Sequence, residues 1–208
     1  MTKINAFAMH ADEYDDWFLK NEAIYLSEVK AVRSMLTHKK NGLEIGVGSA
    51  RFAFLLDVKV GIEPCSQMAK LARGRGITVY ENVAEDLPFS DGEFDFVLMI
   101  TVICFFDDIH KAFKEANRVL CDDGVIIVGF IDKNSHLGRR YHKNKAQSTF
   151  MQEATFYGVD EVVQILKNAG FGNLELKQTL FNEDSSTFQT VKDGCGEGGF
   201  VIIKATKL

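Results

Sequence analysis

The stretch Leu43-Glu44-Ile45-Gly46-Val47-Gly48-Ser49 runs a short apolar segment straight into two glycines. Farther on, a second carboxylate, Glu63, closes another apolar run, Val58-Lys59-Val60-Gly61-Ile62. Glycines let backbone approach a ligand where a side chain would block it. An acid about 20 residues past such a turn can take both ribose hydroxyls of a nucleoside. The pairing points to an adenosine-containing cofactor.

A dinucleotide site needs a third small residue three positions after the second glycine, so that the following helix packs closely and its N-terminus receives a pyrophosphate. That place holds Arg51. Glu44, two residues before the first glycine, also sets negative charge where a dinucleotide brings phosphate. A carboxylate there suits a cationic ligand better. The stretch resembles motif I of the class I S-adenosylmethionine-dependent methyltransferases: acid, any residue, Gly, any residue, Gly, any residue, Gly. Ala50 stands at the last glycine.

The resemblance continues through Pro64 to Arg73, Ala84-Glu85-Asp86-Leu87-Pro88-Phe89, Phe94 to Ile100, and Arg118-Val119-Leu120 with the strand Val125 to Ile131. The blocks from Glu44 to Ile131 are similar, in order and spacing, to the methyltransferase domain. Asp160 to Gly170 followed by Phe171 resembles that family's late helix, ending on a glycine suited to a left-handed cap.

Periodicity places strands near 42–46, 58–62, 77–80, 94–100 and 124–131, with helices near 51–57, 64–73 and 107–120 between them. In the 107–120 helix, Asp107 or Asp108 can cap, and Ile109, Ala112, Phe113, Ala116, Val119 and Leu120 form one stripe. Strands separated by helices imply a parallel sheet. Leu174 to Leu180 and Phe200 to Ala205, joined by a polar glycine-rich loop, should pair antiparallel. The expected fold is therefore α/β: a doubly wound, mostly parallel, seven-stranded Rossmann-like sheet with an antiparallel C-terminal hairpin and an N-terminal helical cap.

One domain over 1–208 is expected, divided as an N-terminal helical segment (1–38), a cofactor-binding core (41–131), a substrate lid (132–158) and a C-terminal helix and hairpin (159–208). The 46% hydrophobic and 25% charged content suits a globular chain with a large core. The start of the chain lacks the apolar stretch of a signal peptide, and no segment reaches membrane-spanning length, so cytoplasmic residence is expected. Cys65, Cys104, Cys121 and Cys195 lie far apart, without metal-ligand spacing, so neither disulfides nor a metal is expected.

The resemblance implies S-adenosyl-L-methionine as cofactor and assigns its contacts. Glu44 lies near the amino group, Gly46, Gly48 and Ser49 offer backbone to the methionine end, and Glu63 takes the ribose. Met68, Ala84 and Glu85 lie at the adenine, and Ile100 and Val102 are further cofactor contacts. An aromatic segment before the first strand, here Tyr14 to Phe18, folds over the cofactor in small-molecule members, which places Tyr14 at the methionine part; residues 24–36 read as an amphipathic helix packed on the sheet.

After the fourth strand, Ile100 to Phe106 lacks the Asn or Asp followed by two prolines and an aromatic that nucleic-acid and protein amine methyltransferases use. The resemblance thus implies a small-molecule acceptor, with Phe105 among its contacts, and transfer by proximity and orientation.

Lys133 to Lys145 carries five Lys and Arg and no acid in a chain of net charge -5. Such a run is either a solvated helix or a lid. As a lid, Arg139 and Arg140 would bind an anionic acceptor, with His142, or Tyr141, as proton acceptor. No nucleic-acid partner is expected, because the rest of the chain is acidic, and no membrane partner, because no segment reaches membrane-spanning length. The alternatives are a cofactor-binding protein without turnover, suggested by Ala50, Val83 and the Cys104-Phe105 pair, and a nicotinamide-dependent oxidoreductase, opposed by Arg51 and Glu44.

Overall fold

Each apolar run that ends on a glycine or an acid becomes a strand pointing the same way. A computed structural model describes residues 3–36, 41–182, 184 and 186–208. Residues 1, 2, 37 and 38 of the expected N-terminal segment lie outside the described residues.

Three helices come first: α1 (Lys3–Met9), α2 (Ala11–Lys20) and α3 (Glu22–Arg33). The alternating core follows as β1 (Gly42–Ile45), α4 (Arg51–Leu56), β2 (Val60–Ile62), α5 (Ser66–Gly74), β3 (Thr78–Tyr80), β4 (Phe94–Ile100), α6 (Ile109–Val119) and β5 (Leu120–Ile131). The chain closes with α7 (His136–Asn144), α8 (Val159–Asn168), β6 (Phe171–Thr179), β7 (Lys192–Asp193) and β8 (Phe200–Lys207).

The sheet order is β3-β2-β1-β4-β5-β8-β6-β7. Strands β1 to β5 pair parallel, whereas β8 pairs antiparallel with both β5 and β6. The sheet has eight strands where seven were expected. The extra one, β7, pairs only Asp193 with Lys177 and Lys192 with Gln178. It is two polar residues folded back from the connecting loop, too short for periodicity to mark.

Helices cover both faces, so the central strands are buried on both sides and read as nearly continuous apolar runs. Along β4, Val97 and Met99 pack with α6 and α8, while Phe96, Leu98 and Ile100 pack with α3, α4 and α5. Strand β5 begins four residues earlier than its apolar pattern predicts, because Leu120 pairs with Phe94 ahead of a register shift.

Helix α6 starts where its cap dictates. Asp108 has extended backbone, and its Oδ1 accepts from the Lys111 N–H at 3.0 Å, satisfying one of the orphan donors of the first turn. Asp108→Ala should destabilise the fold by about 1 kcal/mol. In a chain of this size that lowers the melting temperature by roughly 2–4 °C, readable by calorimetry.

Candidate active site

Strand order reverses at β1, with β2 on one side and β4 on the other, and ligands of doubly wound sheets bind beyond the carboxyl ends of the strands at such a point. A cavity of about 410 Å³ lies there. The ends of β1 (Ile45, Gly46, Gly48), β2 (Ile62, Glu63) and β4 (Ile100, Thr101, Val102) line it.

Gly46 and Gly48 have φ of 70° and 55°, in the left-handed region. A Cβ on Gly46 would also stand 2.1 Å from Val102 Cγ2, so glycine is required there by conformation and by packing. The Gly48 N–H donates to Glu63 Oε2 at 2.9 Å, and the Cys65 N–H donates to Oε1 at the same distance. The carboxylate thus pins the glycine loop to the start of α5. Burial pushes its carboxyl up, while these two backbone donors pull it back. Met68 and Ala84 complete the apolar wall.

Glu85 lines the cavity too, but its Oε1 already accepts from the Asp107 and Asp108 N–H groups, at 2.8 and 3.0 Å. Thr101, at the end of β4, holds φ of 53°, a conformation rare for a non-glycine residue and found where surrounding structure over-determines it.

A second cavity of about 240 Å³ adjoins the first. Tyr14, Thr101 and Phe105 line both. Its remaining wall is mostly aromatic, with Trp17 and Phe18 from α2, Tyr141 from α7, and Phe150, Phe156 and Tyr157 from the segment before α8. One carboxylate, Glu28 of α3, faces into it. Burial pushes the Tyr14 phenol up, partly offset by the Thr101 side chain beside it.

Helix α2 is fastened to the glycine loop by charge. Arg51 Nε and Nη2 donate to Asp15 Oδ1 and Oδ2 at 2.8 and 2.5 Å. Arg75 Nη2 donates to Asp15 Oδ2 at 2.6 Å and its Nη1 to the Ser49 carbonyl at 2.6 Å. Burial alone would raise the Asp15 carboxyl, but hydrogen bonds from Arg51 and Arg75 outweigh it and hold it at about 2.

Of the residues that the sequence nominates for the cofactor, Tyr14, Gly46, Gly48, Glu63, Met68, Ala84, Glu85, Ile100 and Val102 line the first cavity. Glu44 and Ser49 line neither of the two. Both are 2% exposed. Strand alternation puts Glu44 between Leu43 and Ile45 on the opposite face, under α4, where burial pushes it up to about 8, partly offset by the Ala53 backbone.

The basic segment departs most from expectation. Its helix α7 buries Leu137 and Gly138 and turns Tyr141 into the second cavity, so Arg139, Arg140 and His142 fall on the outer face. All three are exposed and line neither cavity. Arg139 donates to the Asn134 carbonyl at 2.6 Å, and the His142 ring lies 6.4 Å from Phe156.

Residues that sequence reasoning missed include Phe7, whose ring stands 5.2 Å from Tyr14 and 5.1 Å from Phe105, and Glu28. A signal for Glu28 existed. It occupies the apolar stripe of α3, one turn after Tyr25 and one turn before Val32, where a carboxylate is out of place.

The Methyltransferase domain family model matches residues 43–128, from β1 into β5. An uncharacterized protein of Methanocaldococcus jannaschii is 46% identical over 206 residues, covering 99% of this chain and all of the relative. A crystal structure from Thermotoga maritima, described as a SAM-dependent methyltransferase and possible histamine N-methyltransferase, is 45% identical. It has a TM-score of 0.96 and covers 99% of this chain and 100% of that one. A malonyl-[acyl-carrier protein] O-methyltransferase of Geobacter sulfurreducens is 26% identical over 196 residues, 86% of this chain and 72% of the relative.

The chain belongs to the class I S-adenosylmethionine-dependent methyltransferases, and S-adenosyl-L-methionine is its cofactor. The first cavity fits that cofactor. Side-chain-free backbone at Gly46 and Gly48, a carboxylate at the end of β2 and apolar walls match an amino acid end, a ribose and a purine. Among the described residues no helix is long and apolar enough to cross a membrane, and none of the four cysteines is joined in a disulfide.

Proposed function

We propose that the chain methylates a small molecule held in the second cavity, mainly by fixing acceptor and cofactor in one orientation. The adjoining aromatic cavity is the observation that carries this reading. It is small, apolar and opens next to the cofactor site through residues common to both.

Glu63 holds the ribose hydroxyls, the Gly46 and Gly48 backbone receives the methionine end, and Met68, Ala84, Ile100 and Val102 clasp the adenine. Glu85 has Oε2 left for the exocyclic amine. Glu44 and Ser49 act from beneath, Glu44 by buttressing α4. When bound, S-adenosylmethionine supplies a methyl group on a sulfonium, a good leaving group. The chain's part is to orient the acceptor and exclude water, and proximity alone is worth about 7–11 kcal/mol. Tyr14, Thr101 and Phe105 stand where the two ligands meet.

Tyr141 faces the acceptor, but burial pushes its phenol up, so it orients rather than accepts a proton at neutral pH. His142 has no part in this reading. An anionic acceptor loses its support, because Arg139 and Arg140 face away from the cavity. The Thermotoga relative's description points instead to a nitrogen acceptor.

Turnover tests the reading. With labelled S-adenosylmethionine and a panel of small acceptors, Phe156→Ala should raise the acceptor's KM several-fold while cofactor affinity stays constant. An unchanged KM, or cofactor binding without methylation of any acceptor, would replace the enzyme reading with that of a cofactor-binding protein.

A further inference from the structure

Glu28 is 5% exposed and lines the second cavity, yet it takes no hydrogen bond or ion pair among the described residues. An isolated carboxylate in an apolar cavity is costly, and burial pushes this one up to about 8. Among the described residues no Lys, Arg or His lines the cavity. Trp17, Tyr141, Phe150, Phe156 and Tyr157 present aromatic surface around the same space, and Phe18 already carries the Arg51 guanidinium over its ring. Aromatic faces attract cations most strongly when both are desolvated. The cavity therefore combines one partnerless carboxyl, which an arriving cation would draw into its ionised form, with several aromatic walls, the complement of a small organic cation.

We infer that the methyl acceptor is a small molecule bearing a protonated amine, whose positive charge is recognised by Glu28 within the aromatic cavity, while an uncharged nucleophilic atom at its other end takes the methyl group and gives up its own proton to solvent. This rests on the reading of the second cavity as the acceptor site. Glu28 is a specificity residue here: it selects the charge of the ligand and fixes one end of it, and the aromatic walls fix the rest. A neutral alcohol of the same shape forgoes the ion pair, and a carboxylate would be buried with no counter-charge.

Trp17, the only tryptophan in the chain, lines the cavity and reports its occupancy by fluorescence. The full chain, saturated with S-adenosylhomocysteine, is titrated with matched amines, alcohols and carboxylates on phenylethyl, imidazolylethyl and short alkyl frames. Calorimetry runs beside the fluorescence. At least one amine should bind tenfold or more tighter than its matched alcohol, and its carboxylate should not bind. In Glu28→Gln, which keeps the side chain's shape, that preference should vanish while S-adenosylhomocysteine affinity is unchanged; Glu28→Asp should recover part of it.

An alcohol or carboxylate that binds as tightly as the amine overturns the inference but leaves the acceptor cavity standing, as does an amine preference that survives in Glu28→Gln. If no compound alters Trp17 fluorescence and methylation of an acceptor is indifferent to Phe156→Ala, both the inference and the cavity reading fail.

Discussion

Glu63→Ala should bind S-adenosylhomocysteine about a hundredfold more weakly than the unaltered chain, or worse. Two ribose hydroxyls donating to an ionised carboxylate are worth about 1.5–3 kcal/mol each, and each 1.4 kcal/mol is tenfold in affinity. The same side chain also accepts the Gly48 and Cys65 N–H groups, so its removal frees the glycine loop as well as the ribose. Glutamine is not a quiet control. With a backbone donor against each carboxyl oxygen, an amide NH2 at either place faces donor with donor. Titration calorimetry measures the loss, and a folded Glu63→Ala protein with undiminished affinity would remove Glu63 from the ribose site.

The strands and the glycine turn could be read in the sequence because local rules alone decide them. A strand buried on both faces is a continuous apolar run, a left-handed turn needs glycine, and Glu63 ends its run where a carboxylate has no packing reason to be. Helix α6 was equally open, since its cap and its stripe agree. Glu28 was hidden because an amphipathic helix tolerates one charged residue in any periodic count, and only the tertiary fold shows that this residue faces a cavity rather than water. The basic segment misled for the opposite reason. Its charge is conspicuous, but the helix turns every third or fourth residue inward, and the inward ones are Leu137, Gly138 and Tyr141.

Arg51 shows both limits at once. In the sequence it argues only against a dinucleotide, whereas in the structure it ties the aromatic segment to the glycine loop. Its guanidinium grips Asp15 with two nitrogens, and its own carbonyl accepts from the Tyr25 hydroxyl of α3. Contacts between residues so far apart in the chain leave no local pattern.

Asp15→Ala should cost about 3 kcal/mol of stability, because it leaves two guanidinium groups close together and only partly exposed, each without its carboxylate. For a chain of this length that is a fall of roughly 6–12 °C in melting temperature, if unfolding is two-state. The acid limb should change with it. Asp15 is held at about 2 against an ordinary 3.8, so its contribution is fully present above pH 3.8 and is lost as pH falls through about 2. The variant's stability should therefore depend less on pH across that window than the parent's. Cofactor affinity should drop in parallel, since α2 carries Tyr14 to the cavity and Asp15 is what ties α2 to the loop. Melting curves from pH 2 to 7, with S-adenosylhomocysteine titrations at neutral pH, check all three. An Asp15→Ala protein that melts within a degree or two of the parent and binds equally well would mean that α2 is held by its aromatic packing on Phe52 and Tyr25 alone.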